Sequence, residues 1–210
     1  MEKIARVFKF DGIDGCGKTT LINELKSILS TEFSLVTVKE YGSEFDVPCV
    51  LVSDCTVSEL LREIILEEKH ELDDIERELL WAVTSRRNNR LVLPRLKIGH
   101  DIILVDRSNL GNLAYGLAYN ENLAPVFELA TTKIELYDLI FWLDTPLDIC
   151  KTRRINRGDK QESILSEEFY TQVRQRYKEL CGKFERIIRL DGSQTKTELV
   201  DSVIKMIIKT

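Results

Sequence analysis

Short apolar runs alternate along the chain with longer stretches in which apolar residues recur every three or four positions. A short apolar run is typical of a strand that is buried on both faces of a parallel sheet. The longer stretches are typical of helices with one apolar face. The pattern therefore predicts five strands, from Ile4 to Phe10, Leu35 to Lys39, Ile102 to Val105, Leu139 to Leu143 and Ile187 to Leu190.

Helical periodicity is clearest in three regions, the first of which directly follows the first strand. Apolar residues share one helical face at Leu21, Ile22, Leu25, Ile28 and Leu29, at Phe169, Val173, Tyr177 and Leu180, and at Leu199, Val200, Val203, Ile204 and Ile207. Strands that alternate with such helices indicate a parallel sheet covered by helices on both sides. Since 210 residues are typical of a single unit, we predict one α/β domain over residues 1–210.

Two further segments can be interpreted from their pattern. A helical pattern from Asp73 to Ile98 contains Pro94, which lacks a backbone N–H and should end or kink the helix. The segment from Tyr41 to Asp54 has no clear period, and its glycine and proline predict a loop, which we expect near the functional site.

Composition narrows the possible partners. The 43% hydrophobic content is enough for a core, and the net charge of -5 gives no general attraction to nucleic acid or anionic lipid. The chain shows neither a signal-peptide pattern nor a run near the roughly 18 apolar residues of a membrane span. Five cysteines without a C-x-x-C pair favour reduced thiols over a zinc site. We therefore expect a cytoplasmic protein that binds neither nucleic acid nor membrane.

The most specific motif lies between the first predicted strand and the first predicted helix. From Gly12 to Thr19 the sequence matches the phosphate-loop pattern G-x-x-x-x-G-K-[ST]. Glycines let backbone N–H groups turn towards phosphate oxygens, and the following helix N-terminus adds a partial positive charge. We expect Lys18 to reach the β- and γ-phosphates of ATP and the Thr19 hydroxyl to join the Mg²⁺ shell. The predicted ATP-binding residues here are Gly12, Ile13, Asp14, Gly15, Cys16, Gly17, Lys18, Thr19 and Thr20.

Read as a whole, the segment F-D-G-I-D-G-C-G-K-T-T resembles the opening of thymidylate kinases, whose phosphate loops run close to F-E-G-x-D-G-x-G-K-T-T. Later segments support this resemblance in the family's order. V-D-R-S-N-L-G-N-L-A-Y-G resembles the family's D-R-Y-x-x-S-x-x-A-Y segment, and K-T-R-R-I-N-R-G-D-K-Q-E its basic lid with R-x-x-x-R-G. I-R-L-D-G-S-Q-T is similar to the late I-D-A-S-x-S segment. Together the matches cover nearly the entire chain.

The resemblance implies a nucleoside monophosphate kinase built on a P-loop NTPase-type sheet of strand order 2-3-1-4-5. Such an enzyme moves the γ-phosphate of ATP, with Mg²⁺, onto a pyrimidine deoxynucleoside monophosphate. The resemblance favours dTMP as this acceptor. Small-molecule nucleotides would then be the partners, and members of the family lead us to expect a homodimer.

The resemblance also implies roles for individual residues. By this resemblance Arg107 would bind the acceptor phosphate, to which a guanidinium can donate two parallel hydrogen bonds. Arg153 and Arg157, in a basic lid at about residues 151–163, would stabilise the transferred phosphoryl group. Asp14 would orient the partners of the acceptor phosphate or hold a metal-bound water. The remaining implied contacts are Arg86 and Asn112 to the pyrimidine, Tyr115 against a ribose 2′-hydroxyl, and Gly192 and Ser193 to the adenine.

Departures from the family pattern fall on the acceptor side. Tyr41 stands where the acceptor loop of the family has proline, and Ser108 stands where D-R-Y has its aromatic residue. If Arg86 is the base-binding arginine, the stacking position holds Ala82, and Trp81 lies about 100° away around the helix. The preferred base is therefore left open.

Two other functions remain open from the sequence. A deoxynucleoside kinase shares the phosphate loop, and D-R-S at Asp106 to Ser108 resembles the E-R-S segment of that family. Such an enzyme must deprotonate a neutral hydroxyl, and Glu40 is a candidate base. A nucleotide-binding regulatory protein that has lost turnover would also retain the loop.

Overall fold

The computed structural model describes residues 4–39, 60–61, 63–65, 71–125, 137–158 and 165–210. Within these residues one sheet contains the strands β1 (Arg6–Asp11), β2 (Leu35–Lys39), β3 (Ile102–Asp106), β4 (Leu139–Asp144) and β5 (Ile187–Asp191). The strand order is β2-β3-β1-β4-β5, and every neighbouring pair is parallel. The predicted strands and the order implied by the resemblance are confirmed. Glu40, the predicted loop at residues 41–54 and residues 159–163 of the expected lid lie outside the described residues.

The pairing register brings the carboxyl ends of the central strands together. Phe10 of β1 lies opposite Asp106 of β3, and Asp11 lies opposite Trp142 of β4. The chain leaves β1 towards one side of the sheet and later returns to its other side. Because ligands of open α/β sheets bind where the strand order reverses, this edge is the expected position of the site.

Helices connect the strands and cover the sheet. They are α1 (Lys18–Leu29), α2 (Asp74–Arg87), α3 (Leu93–Leu96), α4 (Asn109–Tyr119), α5 (Leu147–Arg157), α6 (Glu167–Cys181) and α7 (Lys196–Lys209). Side-chain caps fix several of their N-termini: Ser108 accepts a hydrogen bond from Leu110 N, and Ser166 accepts one from Phe169 N. At α7, Thr195 and Glu198 form a reciprocal capping box.

Pro94 shapes the segment between α2 and β3. After Arg87 the chain widens into a π-helical turn (Asn88–Val92) and then forms the short α3, in which Pro94 is near the start. A proline cannot donate to the carbonyl four residues earlier and its ring crowds that carbonyl, so a regular helix cannot continue through it. The predicted kink is confirmed, and it takes the form of a widened turn.

The two faces of the sheet have separate apolar cores. The larger cluster joins Phe8 and Phe10 of β1 to apolar residues of α1, α4, α6 and α7. The smaller one joins Val7 of β1 and residues of β2 and β3 to the π-helical turn and α3. Alternation of side chains along β1 explains this division. Most predicted helix faces are buried, but Ile28 is 46% exposed, because it lies at the edge of the face of α1 that packs on the sheet.

The described residues also bear on two expectations from composition. Among the described residues, Cys16, Cys150 and Cys181 are free cysteines. In the described part of the chain, no helix combines the length and apolar character needed to cross a bilayer.

Candidate active site

The phosphate loop leaves the carboxyl end of β1 and leads directly into α1. Gly12 and Gly15 have φ angles of 143° and 82°, in the region that favours glycine. A Cβ at Gly12 would lie 2.7 Å from the carbonyl oxygen of Leu143, and one at Gly15 would lie 2.5 Å from that of Cys150. Both the backbone conformation and the close packing therefore require glycine here, and the N-terminus of α1 faces the loop.

Lys18 lies across this loop. Its side chain is only 7% exposed, and Nζ donates hydrogen bonds to Gly12 O at 2.8 Å and to Ile13 O at 3.3 Å. An ammonium group has three donors on a flexible stem, so it can exchange these carbonyls for phosphate oxygens. The predicted role of Lys18 is compatible with this position.

Thr19 lies beside a carboxylate to which the sequence analysis gave no role. Its hydroxyl donates to Asp106 Oδ2 at 3.0 Å, because the ends of β3 and β1 are adjacent. Hydroxyl and carboxylate oxygens are ligands that Mg²⁺ prefers, and Mg²⁺ takes most remaining ligands from water and substrate phosphates. Among the described residues, no group of three or more acidic, histidine or cysteine side chains could enclose a metal. The sequence places Asp106 at the end of a predicted strand, but its proximity to Thr19 comes from the pairing of β3 with β1.

Asp14 and Arg107 form an ion pair between the phosphate loop and the loop after β3. The guanidinium of Arg107 also lies over the Tyr115 ring, 5.5 Å from its centroid. Partial burial works to raise the pKa of Asp14, but the positive charges of Arg107 and Lys18 hold this pKa below its ordinary value of 3.8. Asp14 is therefore a carboxylate at neutral pH, and its predicted place in the Mg²⁺ shell beside Thr19 stays a prediction.

Tyr115 closes this cluster from α4. The residue is only 8% exposed, and burial, together with the charge of Asp14, raises the pKa of its hydroxyl well above the ordinary value. Tyr115 is therefore a neutral phenol at any physiological pH, and its ring forms one wall beside Arg107. A wall of this kind can restrict the shape of the sugar that enters.

Asp11 holds the end of β1 against two helices. The carboxylate is fully buried and accepts hydrogen bonds from the Ser108 hydroxyl and, at 3.2 Å, from the Tyr177 hydroxyl. A Cβ at Gly111 would lie 2.6 Å from Asp11 Oδ1. Ser108, a departure from the family pattern, and Gly111 thus accommodate the same carboxylate. Its buried hydrogen bonds give Asp11 a structural role in the described site.

Polar side chains connect α2 to α4 on the acceptor side. Ser85 donates to the side chain of Asn109, and Asn89 in the π-helical turn donates to Ser85 O at 2.9 Å. Fully buried Lys9 of β1 donates to Asn89 Oδ1 at 2.8 Å. Sequence analysis missed this group, because Lys9 interrupts an apolar strand and only the fold supplies its neighbours.

The predicted base-binding residues lie on the same two helices, and their roles stay predictions. Arg86, directly after Ser85, is half-buried near the end of α2, and Asn112 is buried on α4. Ala82 is part of the apolar core, whereas Trp81 is half-buried one residue away. If Arg86 is the base-binding arginine, the stacking position of the family pattern is therefore occupied by a core residue, Ala82.

Helix α5 carries the first half of the expected lid and packs on the phosphate loop. Arg153 Nη1 donates to Cys16 O at 2.9 Å, and Arg154 Nη1 donates to Asp14 O at 2.8 Å. Arg157 is exposed, and its charge contributes to the lowered pKa of Asp14. The reach of Arg153 and Arg157 to a phosphoryl group stays a prediction. Sequence analysis did not single out Arg154, which is the buried arginine of this helix.

The predicted adenine-side residues lie in the turn between β5 and α7. Asp191 Oδ1 accepts hydrogen bonds from Ser193 N at 3.0 Å and from Ser193 Oγ at 2.6 Å. A Cβ at Gly192 would overlap Thr145 Oγ1, and that hydroxyl donates to Cys16 O at 2.9 Å. Thr145 therefore places this turn next to the phosphate loop, as a shared adenine and phosphate site requires.

Comparison with known proteins identifies relatives of nearly the whole described fold. The sequence profile of one family, described as Thymidylate kinase, matches residues 10–204. The thymidylate kinase of Caldanaerobacter subterraneus is 32% identical over 214 residues, which cover 97% of this chain and 93% of that protein. That of Geobacillus is 31% identical over 217 residues, with coverage of 97% and 94%. That of Acholeplasma laidlawii is 28% identical over 211 residues, with coverage of 95% and 97%.

Proposed function

The chain belongs to the thymidylate kinase family, and from this premise we propose that it transfers the γ-phosphate of ATP to a pyrimidine deoxynucleoside monophosphate. dTMP is the proposed acceptor. The observation that carries the proposal is the convergence on one loop of Lys18, the Thr19–Asp106 pair and the Asp14–Arg107 ion pair. A cradle for one phosphate chain thereby adjoins a guanidinium that can bind a second phosphate.

On the donor side, the backbone of the phosphate loop and the N-terminus of α1 bind the phosphates of ATP. Lys18 moves from its carbonyl partners to the β- and γ-phosphates. Thr19 and Asp106 would hold Mg²⁺, which neutralises charge on these phosphates. The Gly192 and Ser193 turn lies beside the same loop and faces the adenine.

On the acceptor side, Arg107 binds the monophosphate through its planar fork of donors. Asp14 holds this guanidinium in place, and its lowered pKa keeps it charged throughout the neutral range. A monophosphate oxygen is already an anionic nucleophile, so the transfer needs no general base. Arg86 and Asn112 contact the base, and Tyr115 restricts the sugar.

Helix α5 completes the site from the side of the loop. The exposed side chain of Arg157 moves onto the transferring phosphoryl group, where charge spreads over the equatorial oxygens. Arg153 lies against the loop and adds positive charge near the same phosphoryl oxygens. Excluding water at this stage limits wasteful hydrolysis of ATP.

The proposal extends to the domain, its location and its assembly. Residues 1–210 form one kinase domain that acts in the cytoplasm as a homodimer. Sedimentation of the purified protein checks the oligomeric state, because a dimer and a monomer of 24.3 kDa chains sediment differently.

The test of the proposed reaction is ADP formation from ATP and Mg²⁺ with dTMP, dUMP, dCMP, CMP, AMP or thymidine, beside a reaction without acceptor. We expect the fastest turnover with dTMP. Turnover of thymidine without turnover of dTMP would assign the chain to the nucleoside kinases. ADP release no faster than in the acceptor-free reaction would indicate a binding protein without kinase activity.

A further inference from the structure

A phosphate loop binds through its N–H groups, so the carbonyls of the same peptides point away from the ligand. Three side chains hold these outward carbonyls. Cys16 O accepts hydrogen bonds from Thr145 Oγ1 and Arg153 Nη1, each at 2.9 Å. Asp14 O accepts one from Arg154 Nη1 at 2.8 Å. A peptide whose carbonyl is held in this way also has its N–H direction fixed.

Arg154 differs from the neighbouring residues of α5 in its burial. It is only 2% exposed, whereas Arg153 and Arg157 are exposed. Burying a guanidinium is unfavourable unless its charge and donors are compensated. Nη1 donates to the Asp14 carbonyl, the Tyr170 ring lies 4.1 Å from the guanidinium carbon, and Glu167 Oε1 lies 3.8 Å from Nη2. Among the described residues, the buried Nε has no hydrogen-bond partner, so the compensation is partial.

The stem of Arg154 also packs directly on the loop. A Cβ at Gly15 would lie 3.1 Å from Arg154 Cγ and 2.5 Å from Cys150 O, so no side chain fits between α5 and the loop. Arg154 is thus in contact with two successive loop residues, Asp14 through its carbonyl and Gly15 through its backbone. At this distance a change in the side chain is transmitted to the loop.

We propose that Arg154 is a positioning residue, which holds the Asp14 peptide so that the phosphate loop keeps the conformation that binds the nucleotide. This inference rests on the proposed function only in taking the loop's ligand to be the phosphate chain of ATP or ADP. Arg154 has no contact with the substrate in this role. The planar fork is needed because one guanidinium must donate to a carbonyl while its face lies on Tyr170.

The test compares three variants at a temperature well below their melting temperatures. Arg154→Met removes the donors and the charge but retains most of the stem, and Arg154→Lys retains the charge and a single flexible donor group. Arg176→Met is the matched control, because Arg176 on α6 pairs with Glu121 and Glu179 and is not hydrogen-bonded to the loop. The measurements are calorimetric affinity for Mg·ADP, KM for ATP and for dTMP, kcat and melting temperature.

A hydrogen bond from a charged group contributes enough that its loss corresponds to about tenfold in an equilibrium constant. We therefore expect Arg154→Met to weaken Mg·ADP binding and raise KM for ATP about tenfold, while KM for dTMP changes less than about twofold. Arg154→Lys should recover part of the ADP affinity. Arg176→Met should lower the melting temperature alone.

Wild-type ADP affinity in a folded Arg154→Met protein, with only a lower melting temperature, would overturn the proposal. Should Arg154→Met fail to fold, Arg154→Lys decides in its place: weaker ADP binding supports the proposal, and unchanged binding overturns it. Failure of the proposed function appears separately, because ADP affinity is measured without an acceptor. A wild-type protein inert towards every monophosphate would refute the kinase proposal, while lost ADP affinity in the variant would still support positioning.

Discussion

The donor and acceptor sides of the site are built from different parts of the chain. In the proposed function, the backbone between β1 and α1 makes the contacts on the donor side, and its carbonyls accept hydrogen bonds from Thr145, Arg153 and Arg154. On the acceptor side, the proposed contacts come from side chains of α2, of α4 and of the loop after β3. The phosphate-loop pattern from Gly12 to Thr19 is matched at every position, whereas several departures from the family lie on the acceptor side.

This difference follows from how each side binds. A backbone cradle requires glycine at fixed positions, since Gly12 and Gly15 have positive φ angles and carbonyls within 3 Å of the missing Cβ. A base can be bound by several combinations of rings and hydrogen-bond donors, so substitutions there can compensate one another. We therefore expect changes to the donor side to reduce turnover with every acceptor, and changes to the acceptor side to act on the monophosphate alone.

The largest effect is expected from Lys18→Ala. Loss of the ammonium removes a donor aimed at charge that develops during transfer, so kcat should fall about 1,000-fold with every acceptor. Steady-state ADP formation measures this change. Lys178→Ala, on the exposed face of α6, is the control and should retain wild-type turnover. Wild-type turnover in Lys18→Ala would contradict the proposed mechanism.

Arg107→Met should have the next largest effect and should separate the two sides. Losing the bidentate contact removes roughly 3 kcal/mol, so KM for dTMP should rise about 100-fold. Calorimetric affinity for Mg·ADP should change little, because the ion pair of Arg107 with the loop is made to the Asp14 side chain and not to the backbone that binds the nucleotide. A comparable loss of ADP affinity would show that the two sides are coupled through this ion pair.

Much of the fold was predictable because it depends on local patterns. The short apolar runs located all five strands to within two residues, and Pro94 located the kink after α2. The strand order came from the family resemblance, since periodicity does not specify which strands pair. On the donor side, the glycine spacing was sufficient to predict the loop itself.

The remaining parts of the site depend on contacts between residues far apart in the sequence. Asp106 meets Thr19 only because β3 pairs with β1, and Arg154 could not be distinguished from its exposed neighbours in a run of basic residues. Lys9 in β1 similarly donates a hydrogen bond to Asn89, which is distant in the sequence. Such polar groups are recognised by partners that are distant in the sequence and that only the fold brings close.

Arg86→Met tests a weaker prediction on the acceptor side. Loss of one contact to the base should raise KM for dTMP about tenfold and leave KM for ATP unchanged. Arg90→Met is the matched control, because Arg90 is exposed in the adjacent turn. An equal increase in both variants would mean that the general positive charge of this segment, rather than a contact from Arg86, attracts the monophosphate.

The smallest effect is expected from Asp14→Asn, measured as stability against pH. Burial raises and Arg107 and Lys18 lower the pKa of Asp14, with a net value below 3.8, so its charge stabilises the folded state above that pH. This contribution is lost as the pH falls through the lowered native pKa. The melting temperature of wild type should therefore exceed that of the variant by about 2 °C near neutral pH, and the gap should close in acid. Asp201→Asn on α7, where the carboxylate is exposed, provides the control. A constant gap from neutral to acid pH would show that packing, and not the charge that links the two sides of the site, accounts for the effect of Asp14.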